Sequence, residues 1–195
     1  NIAFKYKNFN YDTVKKSINF NDLSLYNLNT TIQNLDTKNH LVKADFKNLT
    51  FREKSGFYLK NLTTQAIIDS NQIELKSLLL ETPNTRLSDY LLFKFEKFKD
   101  FGKFADKVYL KAHFKNARLY SPDIAYFSSA LKNSNIDLRL DGDVKGYVNN
   151  IKAKKLSVKV GKTSYLKGDF NIKGLPNLKQ TFLDLNLEQA YTNKK

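Results

Sequence analysis

The chain has 195 residues, enough for one domain or an elongated stack of strands. It has no cysteine, which excludes disulfides and thiolate sites, and no apolar run as long as the roughly 18 residues of a membrane-spanning helix. Lys and Arg number 33 against 19 acids, a formal charge of +14, and the lysines are spread along the whole chain. This spread favours a solvated strand face, with attraction to anionic lipid or acidic partners as the alternative and nucleic-acid binding as a minor one.

The chain starts at Asn1 and lacks methionine, so we expect residues 1–195 to be one continuous segment of a longer protein. Its first part alternates apolar and polar residues in short stretches, which predicts β-strands. These stretches are residues 2–6, 23–25, 42–46, 57–59, 62–68, 73–75, 91–95 and 108–114. Four asparagines interrupt them, Asn27, Asn48, Asn61 and Asn116. Since Asn tolerates left-handed backbone, we predict a bulge or tight corner at each.

Two places break the alternation and predict short helices. Phe98, Phe101 and Phe104 recur at a spacing of three residues. Residues 122–131 open with Pro122, and Ser121 is the expected N-cap before it. Both helices are too short to cover a long sheet.

The clearest period of two lies between residues 135 and 174. Lys154 and Lys155 shift the phase by one residue, which predicts a bulge or turn. The apolar residues in phase are Ile136, Leu138, Leu140, Val144, Val148, Leu156, Val158, Val160, Leu166, Phe170 and Ile172. Gly142, Gly146, Gly168 and Gly174 share that face, where they leave room for curvature or a guest molecule, or else mark a bulge or close packing.

These patterns predict an all-β, mainly antiparallel fold of about ten to thirteen strands. A sheet with one apolar face must bury it, and large open sheets tend to curl or split into two layers. We therefore expect an elongated, curled amphipathic sheet with one or two short helices.

The sequence offers little catalytic chemistry. His40 and His113 belong to no metal-ligand or nucleophile pattern, and we expect both at the surface. Asp141 and Asp143 fall on the polar face of a strand and lack the rest of a calcium loop. No glycine-rich phosphate loop occurs. We expect a non-enzymatic protein without cofactor or metal.

Six phrases, in order along the chain, carry a resemblance to a known family. They lie at residues 51–57, 78–82 followed by Leu87, 98–108, 123–131, 141–148 and 168–176. Together they resemble the periplasmic part of TamB-like proteins, the translocation and assembly module family related to AsmA and similar to bridge-like lipid-transfer proteins. The family's inner-membrane anchor and its terminal domain are not identifiable in this chain.

The resemblance implies a β-taco, a half-pipe whose apolar inner face holds phospholipid acyl chains. It also implies a periplasmic location, an inner-membrane anchor outside this segment, reach to the outer membrane, and an Omp85-class (TamA-like) barrel as partner in outer-membrane biogenesis or protein secretion. No nucleic-acid partner is expected. The eleven in-phase apolar residues above are the expected lipid-groove lining, and we expect Val144→Arg or Val158→Arg to obstruct lipid passage with little loss of expression.

Two other functions fit the same alternation. One is a structural or adhesive β protein with a dry, self-filled core. The other is a scaffold whose free sheet edge pairs with a nascent barrel strand, assisting barrel assembly or secretion.

Overall fold

The protein is all-β in a computed structural model. The structure describes residues 2–7, 18–20, 22–127 and 131–193. Within these residues, eleven strands form one antiparallel sheet in which neighbours in sequence are neighbours in space. The strands are β1 Ile2–Lys7, β2 Asp22–Lys38, β3 Leu41–Glu53, β4 Tyr58–Ile68, β5 Gln72–Glu81, β6 Arg86–Lys94, β7 Tyr109–Tyr120, β8 Asp137–Tyr147, β9 Asn150–Val160, β10 Ser164–Lys173 and β11 Phe182–Thr192. The predicted fold class and strand number are confirmed.

The alternation in the sequence becomes a two-faced sheet. In β8, Leu140 and Val144 are buried while Arg139 and Lys145 are exposed. Because successive side chains of a strand point to opposite faces, every strand with this pattern adds to the same apolar face. The sheet stays open: among the described residues, β1 pairs with β2 alone and β11 with β10 alone.

Left-handed backbone occurs where asparagine predicted it, with one exception. Asn27, Asn48 and Asn116 have φ of 53°, 54° and 52°, and the strand register shifts at each. Lys155 has φ 49° at a register shift, which confirms the predicted bulge. Asn61 is the exception, because its φ is not in the left-handed region. It lies beside a register shift between β3 and β4, and on its other side it pairs with Glu81 of β5 without a shift.

Helical structure is short in both predicted places. A 3₁₀ turn covers Phe98–Lys103 and runs into helix α1, Phe104–Lys107. Helix α2 spans only Ser121–Ile124, so the prediction of a helix over 122–131 was wrong in its extent; residues 128–130 lie outside the described residues. Ser121 is the first helical residue and Tyr120 is the N-cap, so the prediction that Ser121 caps the helix was wrong. The Ser121 hydroxyl instead accepts a hydrogen bond from the Ile136 N–H at 2.8 Å.

The last strand, β11, falls in a part of the chain to which sequence analysis assigned no strand. A 3₁₀ turn at Leu178–Gln180 precedes it, and it pairs with β10 over ten residue pairs. Leu183, Leu185 and Leu187 lie opposite Ile172, Phe170 and Gly168. The apolar face therefore extends one strand further than predicted.

Candidate functional site

Two apolar rows cross the sheet at right angles to the strands, from β3 to β11. Their members lie directly opposite one another on successive strands. The Ala44 row consists of Ala44, Ala66, Leu75, Leu91, Ala112, Val144, Ala153, Phe170 and Leu185. The Val42 row consists of Val42, Ile68, Ile73, Phe93, Leu110, Gly146, Ile151, Ile172 and Leu183. No polar side chain interrupts either row, so the sheet carries a continuous apolar track.

Most members of the Ala44 row are buried from β3 to β10, and burial along the track falls at β11. Leu91, Val144 and Phe170 keep 6%, 7% and 6% of their surface exposed, whereas Leu183 keeps 55%. Leu187, on the same face of β11, keeps 38%. The track therefore opens to solvent at the β11 edge.

The structure brings most of the expected lining residues together. Leu140, Val144, Leu156, Val158 and Phe170 belong to one buried cluster, and Leu138, Leu166 and Ile172 pack against it half-buried. Ile136 precedes β8, Val148 lies in the β8–β9 turn, and Val160, at the end of β9, is 36% exposed; these three lie outside the cluster. The cluster also includes Leu78, Leu91 and Phe114, from strands whose shorter alternation left them out of the expected lining.

The burial of Val144 and Val158, at 7% and 9% exposure, changes what arginine at those sites would do. A charge placed there without a partner is costly, so we no longer expect either substitution to spare folding. Substitutions at the more exposed members of the track are therefore the better test of acyl-chain binding.

The glycines on the apolar face mark close approaches of backbone, not space for a guest. A Cβ on Gly168 would lie 2.2 Å from the Asn186 carbonyl oxygen, and one on Gly146 would lie 2.3 Å from that of Asn150. Neighbouring backbone therefore occupies the space beside these residues.

A line of bulges crosses the polar side of the sheet on alternate strands. Asn48 in β3, Ser77 in β5, Asn116 in β7 and Lys155 in β9 each add a residue to their strand. Side chains of the next strand bind three of the displaced amides: Thr63 accepts from the Asn48 N–H at 3.2 Å, Asp141 from Asn116 at 3.1 Å and Asp169 from Lys155 at 2.8 Å. Because bulges increase local twist and bend, their alignment curls the sheet.

Aromatic side chains from the connecting segments pack on the sheet at two places. Phe101 and Phe104 lie 6.0 Å and 5.5 Å from Phe93, a member of the Val42 row, measured between ring centroids. Phe57, just before β4, meets Tyr126 and Phe127, which follow α2, at 5.7 Å and 5.2 Å. The segment at 98–104 thus covers part of the apolar track.

The histidines and aspartates weighed in the sequence for catalysis or metal binding are exposed. His40 is exposed in the β2–β3 turn, and His113 is exposed in β7 with its Nδ1 2.9 Å from Asp143 Oδ1. Asp141 binds a bulge amide, as above. Within the residues that the structure describes, no group of three or more His, Asp or Glu side chains is placed to hold a metal ion.

Tyr90, on the polar face, has a strongly raised pKa. Burial, together with the hydrogen bond that its hydroxyl donates to Glu74 Oε1 at 2.9 Å, raises the pKa of Tyr90 from 10.0 to about 12. Since the folded-state pKa lies above the unfolded value, this contribution to stability is complete below about pH 10 and is lost as pH rises through about 12.

We expect the alkaline difference absorbance spectrum between the native protein and Tyr90→Phe to titrate near pH 12, because burial and the Glu74 carboxylate both disfavour the phenolate. Glu74→Gln keeps the ring in place and should move that titration toward 10.0. A difference spectrum that already titrates near 10.0 in the native protein would contradict the assigned interaction.

None of the helices in the described ranges is long and apolar enough to cross a bilayer. Comparison with known proteins gave no match, either to a family model, to a curated protein or to a solved structure.

Proposed function

We propose that this chain is a segment of a periplasm-spanning, TamB-like protein whose apolar sheet face binds phospholipid acyl chains and conducts them between the inner and outer membranes. The observation that supports the proposal is the pair of unbroken apolar rows running from β3 to β11. A conduit needs a track of this direction, since lipid moving along it passes every strand in turn.

The energetics of such a track suit cargo without head-group selection. Burying an acyl chain is favourable by about 0.8 kcal/mol per methylene, and the rows offer only apolar contacts. The exposed Leu183 and Leu187 at the β11 edge are where an acyl chain would first find the track open. Deeper in, cargo would displace the aromatic cover at Phe101 and Phe104. Under this proposal the inner-membrane anchor and the Omp85-class barrel partner belong to the full-length protein.

Adjacent residues of β11 provide a matched test. Leu183 lies on the apolar face opposite Ile172, and Phe182 lies on the polar face opposite Lys173, with exposures of 55% and 62%. We expect Leu183→Arg to lower the phospholipid retained through purification severalfold, measured by native mass spectrometry and lipid extraction, because an acyl chain lying on the open end of the track would strip water from the charge. Phe182→Arg, which adds the same charge on the other face, should keep native lipid content.

A folded protein that carries no lipid after purification from its own membrane fraction would contradict the proposal. Equal lipid content in Leu183→Arg and the native protein would contradict the assigned track.

A second candidate function is the scaffold that pairs with nascent barrel strands. The observation that favours it is β11 itself: ten of its eleven residues pair with β10 on one side, and the other side has no partner strand in the described part of the chain. Strand addition would protect the β11 amides from hydrogen exchange when a barrel-strand peptide is added. Conduction of lipid alone would leave that exchange unchanged.

A further inference from the structure

The positive charge that is spread evenly along the sequence becomes concentrated by strand register. On the polar face, Lys111 of β7 lies directly opposite Lys145 of β8, which lies directly opposite Lys152 of β9. All three are exposed, and none takes part in an ion pair in the described part of the chain. We call these three residues the lysine row.

A second cationic row crosses the same strands nearer their other ends. Arg118, Arg139 and Lys159 are opposite one another, and together they line a cavity of about 340 Å³. Asp137 binds Arg118 through two hydrogen bonds of 2.9 Å and 2.8 Å, so this row is partly neutralised. Strand β9 carries four lysines and no acid. The polar face of β7–β9 therefore carries more cations than acids, with the aspartates of β8 lying between the two cationic rows.

Like charges directly opposite each other on adjacent strands are destabilising, because their Cβ atoms lie only about 5 Å apart. The lysine row contains two such contacts in succession and has no carboxylate to offset them. An anionic surface placed over the row would remove that repulsion. The arrangement thus fits a face that functions against negative charge.

Two tyrosines beside the row, on β7 and β8, favour a lipid surface as that partner. Tyr109 and Tyr147 pack edge to face beside Lys111 and Lys145, with ring centroids 5.7 Å apart and an interplanar angle of 82°. Tyrosine beside lysine is typical of the membrane interface, where amphipathic rings sit at head-group level. A platform for nucleic-acid bases would instead present ring faces for stacking, and here the rings pack against each other.

We propose that the polar face of β7–β9, centred on the lysine row, docks on the surface of a bilayer containing anionic phospholipid. The apolar track is on the opposite face, so docking and acyl-chain binding are separate properties. Docking of this kind would hold the polar face against the membrane surface and leave the apolar face pointing away from it.

The test is sedimentation with vesicles of phosphatidylcholine, with and without about one third phosphatidylglycerol. We expect the native protein to bind the anionic vesicles, and to bind less as ionic strength rises. Lys145→Glu should lower the affinity about thirtyfold, since each cation at an anionic surface contributes roughly fivefold and the reversal removes one and adds its opposite. It should also leave thermal stability equal or higher, because the new carboxylate would lie between Lys111 and Lys152.

Lys38→Glu is the matched control, since Lys38 is exposed at the end of β2 opposite Leu41 and carries the same charge. It should bind nearly as well as the native protein. An equal loss in both variants would overturn the proposal in favour of net charge alone. So would absence of binding to anionic vesicles, or binding to a single-stranded DNA oligomer but not to vesicles. Leu183→Arg should bind vesicles normally, which keeps this result distinct from failure of the lipid track.

Discussion

Val144→Arg is expected to lower the free energy of unfolding by about 4 kcal/mol, because it places an unpaired charge in the centre of the buried cluster. Val144 is 7% exposed and lies between Ala112 and Ala153 in the Ala44 row. None of its direct neighbours in the row can pair with a guanidinium. A loss of that size is a large part of the free energy of unfolding of an ordinary domain, which is roughly 5–15 kcal/mol.

Chemical denaturation followed by circular dichroism measures this effect, with Lys145→Arg as the control. Lys145 is the next residue of β8 on the exposed face, so arginine there should leave the midpoint unchanged. If Val144→Arg unfolds at the native midpoint, position 144 opens to water, and the track is a wet groove along its whole length. The expected result means that the centre of the track is dry until cargo enters.

The alternation from Ile136 to Gly174 was sufficient to predict three strands and the face of each. Its period of two has no helical alternative, and a doublet of lysines showed where the phase shifts. Ser77 and Asp89 adopt left-handed backbone without any such signal, at φ of 49° and 101°. Their conformation follows from the pairing of β5 and β6 with each other and with their outer neighbours β4 and β7, which depends on residues distant in sequence.

Strand β2 shows a further limit of reading local pattern. Sequence analysis assigned it residues 23–25, yet it runs over Asp22–Lys38. Two left-handed asparagines, Asn27 and Asn34, break its alternation into short pieces. Strand β11 could have been predicted from the regular alternation of Leu183, Leu185 and Leu187. The lysine row could not have been predicted, because it depends on the register of three strands.

Gly168→Ala is the second substitution with a large expected effect, about 3 kcal/mol of stability, because the new methyl group meets backbone on the neighbouring strand. Its Cβ would lie 2.2 Å from the Asn186 oxygen and 2.8 Å from the Leu187 Cα. Neither atom belongs to a flexible side chain. The β10–β11 pairing must separate locally, at the bulge where the register of these two strands shifts.

Hydrogen exchange locates this effect as well as measuring it. We expect amides of β11 to lose protection in Gly168→Ala while amides in β8 and β9 keep most of theirs, since β11 is an edge strand held by β10 alone among the described residues. Gly102→Ala is the control, since a Cβ at Gly102 meets nothing within 4 Å. Native protection of β11 in Gly168→Ala would show that the strands approach less closely than described. Loss across the whole sheet would show that β11 belongs to the cooperative core, and that the open end of the track is as rigid as its centre.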